Sequence, residues 1–186
     1  MWNLPNLLTL LRIALIPVFV SVFYMSSEFS NIAAAAIFAF AAITDWIDGY
    51  VARKMGLATS FGEFLDPVAD KLIVAVALIM LVEVHETLFI AIPAMIIIGR
   101  EIVISALREW MSKVGSPNAV AVSFLGKIKT WAQMIAVVVL LVAEPGEKEL
   151  VLLGYFAICV AAILTVWTMI GYLIQALPHL NDHLEK

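Results

Sequence analysis

The chain has 186 residues, of which 63% are hydrophobic and 14% charged. Soluble domains run at about 45–50% apolar and 25% charged residues, so a water-soluble globule is excluded and a single integral membrane domain is expected over 1–186. The lone Cys159 excludes a disulfide framework, and the net charge of −4 says little, because charge placement decides in a membrane protein.

A membrane-crossing helix needs roughly 20 mostly apolar residues, and the first candidate covers about 5–25. Arg12 is the first charge, so the basic leader of a cleaved signal peptide is not expected. In the opening MWNLPNLLTLLR, Asn3, Asn6, Thr9 and Arg12 recur every three residues and mark one wetter face. A short polar loop, Ser26–Ser30, leads to a second span at about 31–53, and Lys54–Glu63, with Gly56 and Gly62, reads as a turn. The third span covers about 66–83, because Pro67 is best tolerated in a first turn; that puts Asp66 near its beginning. Glu83–Thr87 connects to a fourth span at about 87–108, and Ser112–Asn118 then breaks the helical pattern. The fifth span covers about 123–143, Glu144–Glu149 forms a turn, and the sixth covers about 149–175. His85, His179 and His183 fall in loops or the tail and receive no role. The expected fold is all-α: an integral membrane bundle of six transmembrane helices.

Arg53, Lys54, Lys71, Arg108, Lys113, Lys127 and Lys129 gather on one side of these spans, and only Lys148 lies on the other. By the positive-inside rule both termini and the acidic segment described next face the cytoplasm. Trp2, Trp46, Trp110 and Trp131 lie near the same ends, where an amphipathic ring suits the headgroup layer.

Four aspartates stand in a fixed frame, D-x2-D-G-x2-A-R-x8-G-x3-D-x3-D, formed by Asp45, Asp48, Gly49, Ala52, Arg53, Gly62, Asp66 and Asp70. Asp45, Asp48, Gly49 and Ala52 share one helical face, and Gly62, Asp66 and Asp70 form a second stripe on the following helix. A short turn joins the helices, so the stripes should face each other. A carboxylate at membrane depth costs about 2.5–3.5 kcal/mol on insertion scales, so the cluster needs a cation. Oxygen ligands without His or Cys select Mg²⁺, Mn²⁺ or Ca²⁺ over Zn²⁺. Four carboxylates suit two such ions, a pair that stabilises both oxygens of a phosphoryl transfer. Gly49 and Ala52 leave room for a flat ligand such as a nucleotide, and Arg53 can hold a phosphate or pair with an aspartate. The plainer alternative makes these acids solvated helix-end residues with Arg53 as their ion-pair partner.

The frame resembles the signature of the CDP-alcohol phosphotransferases at all eight positions. The resemblance implies a six-helix membrane fold and transfer of a phosphatidyl or phosphoalcohol group from a CDP-linked donor to an alcohol, with release of CMP. It implies that Asp45, Asp48 and Asp66 hold metal, and that Asp70 completes the second metal site and acts as general base. Gly49, Ala52 and Arg53 would border the donor's cytidine and diphosphate, with Gly62 giving close helix approach. The implied cofactor is a pair of Mg²⁺ or Mn²⁺ ions. A homodimer is implied, and no nucleic-acid partner is expected.

Residues outside the frame bear on the acceptor. Arg100 and Glu101 fall inside the apolar fourth span, and Arg100, Ile104 and Arg108 share a face. On the fifth, Lys127, Thr130 and Gln133 share a face with Lys129 to its side. Such cations suit an acceptor carrying a phosphate. The alternatives are that Arg108, Lys113 and Lys129 snorkel to the membrane surface, that Arg100 neutralises an aspartate of the frame, and that Glu101 is a structural partner. The stretches GREIVISALRE and SFLGKIKTWAQ resemble the bacterial branch of the same family that forms phosphatidylglycerophosphate. That resemblance implies CDP-diacylglycerol as donor and sn-glycerol 3-phosphate as acceptor. The opening NLPNLLTLLRI resembles the same branch and brings Asn6 and Thr9 toward the donor site. Serine, phosphatidylglycerol or an inositol phosphate could replace the acceptor within the same chemistry. A divalent-cation transporter is the competing class; acids confined to one membrane face and the absence of an inverted repeat argue against it.

Overall fold

The computed structural model describes residues 4–25, 27, 29–55, 59–114, 124–143 and 148–184; side chains at 4–5, 46–55, 60, 63, 124–125, 127 and 179–184 fall outside the description. Among the described residues every regular element is an α-helix. In chain order these are α1 (Leu4–Phe23), α2 (Ser30–Met55), α3 (Ser60–His85), α4 (Leu88–Lys113), α5 (Phe124–Val142) and α6 (Lys148–Leu184). Among the described residues three stretches are long and apolar enough to cross a membrane: Asn6–Phe23, Leu88–Lys113 and Lys148–Pro178.

Beside an apolar core, the chain exposes many large apolar side chains and buries a set of polar ones. Leu11, Phe40, Ile79, Ile102, Ile163 and Trp167 are exposed, whereas Asn6, Thr9, Arg12, Thr44, Arg100, Lys129, Gln133, Thr165 and Thr168 are buried. In lipid there is no hydrophobic gain from hiding a leucine, while an unsatisfied polar group is expensive. Polar and small residues therefore turn inward and apolar ones face the solvent that suits them. This pattern and the lengths of the helices make the chain an all-α integral membrane protein.

Three helix boundaries differ from the expectation. Helix α3 starts at Ser60 rather than near 66, because the Thr59 hydroxyl accepts the Gly62 amide at 3.1 Å and caps the first turn. Gly62 and Glu63 thus belong to the helix, and Pro67 sits inside it instead of opening it. Helix α4 runs on to Lys113, supported by a Glu109–Lys113 pair at 2.7 Å one turn apart. Helix α6 continues to Leu184, so His179 and His183 lie on helical backbone rather than in a tail. Near the expected end of the span, Tyr172 and Ala176 are buried against Ile104 and Met111 of α4. The expected break at Ser112–Asn118 begins after Lys113, with 115–118 outside the described residues; of the turn at Glu144–Glu149, Lys148 and Glu149 are helical and 144–147 lie outside.

The chain forms two compact units, one of Met1–His85 with Val137–Gly154 and one of Glu86–Ala136 with Tyr155–Lys186. The core of the first uses alanine to bring helices close: Ala34, Ala35 and Ala41 of α2 and Ala69 and Ala77 of α3 are buried. Phe19 of α1 meets Phe38 of α2 with ring centroids 6.2 Å apart. In the same unit α5 and α6 approach at Gly154, where an added Cβ would lie 2.5 Å from Leu140 Cδ2 and 2.6 Å from its Cγ. Leu140 is itself buried, so it cannot swing aside freely. Overpacking of this kind costs about 1–3 kcal/mol. Gly154→Leu is accordingly expected to lower the melting temperature of the detergent-solubilised protein, followed by tryptophan fluorescence; an unchanged midpoint would mean that the two helices part easily there.

Candidate functional site

The polar face of α1 is the floor of the site in the first unit. Its three-residue period places Asn6, Thr9 and Arg12 on one side of the helix, and all three are buried. The Thr9 hydroxyl donates to Asp66 of α3. Arg12 Nη1 donates to Asp70 of α3 and lies 3.2 Å from Asp45 Oδ1 of α2. One guanidinium therefore ties two carboxylates from different helices. Below them Thr59 Oγ1 donates to Asn6 Oδ1 at 3.0 Å. At Gly62 an added Cβ would stand 2.5 Å from that same Asn6 oxygen, so the backbone of α3 approaches α1 at a distance only glycine permits.

Exposure is graded across this cluster. Arg12 is 1% exposed, whereas the side chains of Asp45 and Asp70 are 40% and 36% exposed. The cation lies underneath and the carboxylates open outward. An all-oxygen donor set that remains open to solvent suits a hard divalent ion, which prefers carboxylates and retained water. Asp45, Asp66 and Asp70 fit such a group in donor chemistry and exposure. Among the described residues they do not already form a closed cluster of three ligands. Asp48, Gly49, Ala52 and Arg53 continue α2 beyond Asp45, and their side chains lie outside the described residues.

The sequence places Arg12 on the wetter face of α1 without giving it a role, and the structure supplies its partners, Asp45 and Asp70. The signal was present, since Arg12 extends the three-residue polar period of Asn6 and Thr9.

The second unit carries a separate group of charges. Arg100 Nη1 of α4 lies 2.9 Å from Glu101 Oε1, and Lys129 Nζ of α5 lies 2.6 Å from the same oxygen. Arg100 Nη2 also reaches Thr168 Oγ1 of α6 at 3.5 Å. Both Arg100 and Arg108 sit over the Tyr172 ring, at 5.7 Å and 5.5 Å from its centroid. Burial divides the polar residues of α5. Lys129 and Gln133 are buried and Thr130 is exposed, its hydroxyl donating to the Gly126 carbonyl at 3.0 Å. The reason is electrostatic: Glu101 draws Lys129 inward, so Lys129 does not snorkel to a surface. The Lys127 side chain lies outside the described residues.

Residues 2–167 match the profile of the CDP-alcohol phosphatidyltransferase family. The chain is 52% identical over 181 residues to a CDP-diacylglycerol–glycerol-3-phosphate 3-phosphatidyltransferase of Pseudomonas fluorescens, covering 96% of this chain and 92% of the relative. A protein of the same name from Escherichia coli (strain K12) is 49% identical over 181 residues, covering 97% and 98%. Another from Pectobacterium atrosepticum is 50% identical over 172 residues, covering 92% and 93%.

Loss of a charged hydrogen-bond partner costs about 1.5–3 kcal/mol. Arg12→Met, which keeps the volume and removes the charge, is expected to destabilise the metal-free protein by about 2 kcal/mol, read from thermal melts in chelator. A melt identical to that of the parent chain would show that Arg12 does not hold α1 to its neighbours.

Proposed function

This chain belongs to the CDP-alcohol phosphatidyltransferase family, and from that premise we propose that it transfers the phosphatidyl group of CDP-diacylglycerol to sn-glycerol 3-phosphate, giving phosphatidylglycerophosphate and CMP. The observation that carries the chemistry is the convergence of Asp45, Asp66 and Asp70 on the polar face of α1. The choice of substrates is supported by the names of relatives that match nearly the whole chain.

Asp45, Asp48, Asp66 and Asp70 would hold two Mg²⁺ or Mn²⁺ ions, which when bound supply the positive charge that offsets the donor diphosphate and the departing CMP. Thr9 and Arg12 orient Asp66 and Asp70 from beneath. Gly49 and Ala52 leave the cytidine room, and Arg53, Gly62, Asn6 and Thr9 border the donor. Arg100, Arg108, Lys127 and Lys129 hold the acceptor's phosphate. Asp70 takes the proton of the acceptor's primary hydroxyl, and the resulting oxygen attacks the phosphorus that bears diacylglycerol. The bond from that phosphorus to the CMP oxygen breaks as the new ester bond forms. Positioning and charge stabilisation carry the rate. The enzyme works in this reading as a six-span homodimer in the bacterial inner membrane, with both termini and the site on the cytoplasmic face.

General acid–base catalysis contributes about 10²–10⁴ in rate, so Asp70→Asn is expected to lower CMP release by at least about a hundredfold. Its melt should remain cooperative, and robust turnover would remove Asp70 from the role of base. With CDP-diacylglycerol and Mg²⁺ supplied, glycerol 3-phosphate is expected to be the one efficient acceptor in a panel with serine, phosphatidylglycerol and inositol phosphate. Faster CMP release with any of the others would reassign the acceptor.

A further inference from the structure

Arg100 and Lys129 are buried, at 6% and 3% exposure, and both converge on one oxygen of Glu101. Glu101 is 25% exposed. Thr168 and the Tyr172 ring also hold Arg100 in place. Arg100 is thus held independently of Glu101, Lys129 is buried beside it, and the carboxylate is the partner with an outlet. Arg108 over the same ring adds a third positive charge against this single carboxylate among the described residues of the group.

We propose that Glu101 is an internal counter-ion that stands where the acceptor's phosphate binds, and that acceptor binding displaces it from Arg100 and Lys129. The proposal rests on the acceptor reading given above. Two buried cations without an anion are strongly unfavourable in a helix bundle, so a site built to receive a phosphate needs a stand-in while it waits. A carboxylate serves, since it accepts the same charge-assisted hydrogen bonds as a phosphate oxygen but carries less charge. A phosphate monoester brings about −1.5 to −2 charge at neutral pH and can replace it. A neutral alcohol cannot, because displacing Glu101 would leave both cations unmatched, and a zwitterionic one brings no more negative charge than it displaces and a positive charge besides. Glu101 then lowers acceptor affinity by competition and excludes acceptors lacking a phosphate.

The test uses the full chain in nanodiscs and measures glycerol 3-phosphate binding by calorimetry, with melts in the presence of inorganic phosphate. Glu101→Gln is expected to tighten glycerol 3-phosphate binding about tenfold, because the competing anion is gone and the cations remain. Its melting temperature should be lower than that of the parent chain without anion, and phosphate should raise it more. Glu101→Asp keeps the charge but shortens the reach by one methylene, and should tighten binding less. It keeps the proposal open to test if the glutamine variant does not fold, and unchanged or weaker binding by it would then count against competition. Lys129→Gln should lose acceptor affinity. If Lys129→Gln loses binding while Glu101→Gln binds no better than the parent, Glu101 does not compete and the proposal is overturned alone. If Lys129→Gln and Arg100→Gln both bind glycerol 3-phosphate as the parent does, the acceptor reading fails and the proposal fails with it.

Discussion

A guanidinium sealed beneath two carboxylates constrains everything around it in the first unit. Arg12 sits on a helix whose other faces meet lipid, and a buried cation there is tolerable only with its counter-ions in place. Those counter-ions come from α2 and α3, so satisfying one charge fixes the approach of three helices. The other polar residues of α1 follow from the same registration. Once Arg12 faces Asp45 and Asp70, Thr9 faces Asp66 and Asn6 reaches the cap of α3. Gly62 then becomes necessary, because a side chain there would strike Asn6. The dependence runs the other way as well. With Arg12 below them, the aspartates keep their outer surfaces open, which a site for metal and nucleotide requires.

Much of this was legible in the sequence because helical spacing is a geometric fact. The stripe of Asp66 and Asp70, the face of Asn6 and Thr9, and the pairing of Arg100 with Arg108 on one side of α4 need only the helical repeat. What periodicity does not carry is which distant residue answers a charge. Arg12 reads locally as a basic residue near a membrane surface, and only the fold brings it to carboxylates 33 and 58 positions away. Lys129 shows the same limit. Its own helix offers no reason to turn it inward, and the reason is Glu101, 28 residues earlier on another helix.

The boundary errors have a related origin. Proline suggested a helix start at Asp66, but a missing amide removes one hydrogen bond, whereas the Thr59 cap and the contacts of Asn6 and Gly62 act together on the preceding turn. At the other end of the chain, hydropathy marks where a helix leaves the apolar layer and not where it ends. Tyr172 and Ala176 pack on α4 at that point, and the helical backbone continues to Leu184.

The charges of the two units are imbalanced in opposite senses. In the first, Asp45 and Asp70 flank one guanidinium and Asp66 is held by Thr9, so negative charge is in excess among the described side chains of the cluster. In the second, Arg100 and Lys129 share Glu101 and Arg108 lies over the Tyr172 ring beside them, so positive charge is in excess among the described side chains of the group. A purely structural ion-pair network in an apolar setting would balance itself, since each unmatched charge is costly there. In the proposed reading the sign of each residual charge suits the ligand assigned to it: cations for the first group of residues and an anion for the second. That is the pairing a reaction between a metal-bound diphosphate and a phosphorylated alcohol demands. Arg12 and Glu101 hold equivalent positions in this scheme. In the proposed reading each partly neutralises its site with the sign of charge that the ligand itself carries, which would keep the folded chain stable before the ligand arrives and still attractive to it.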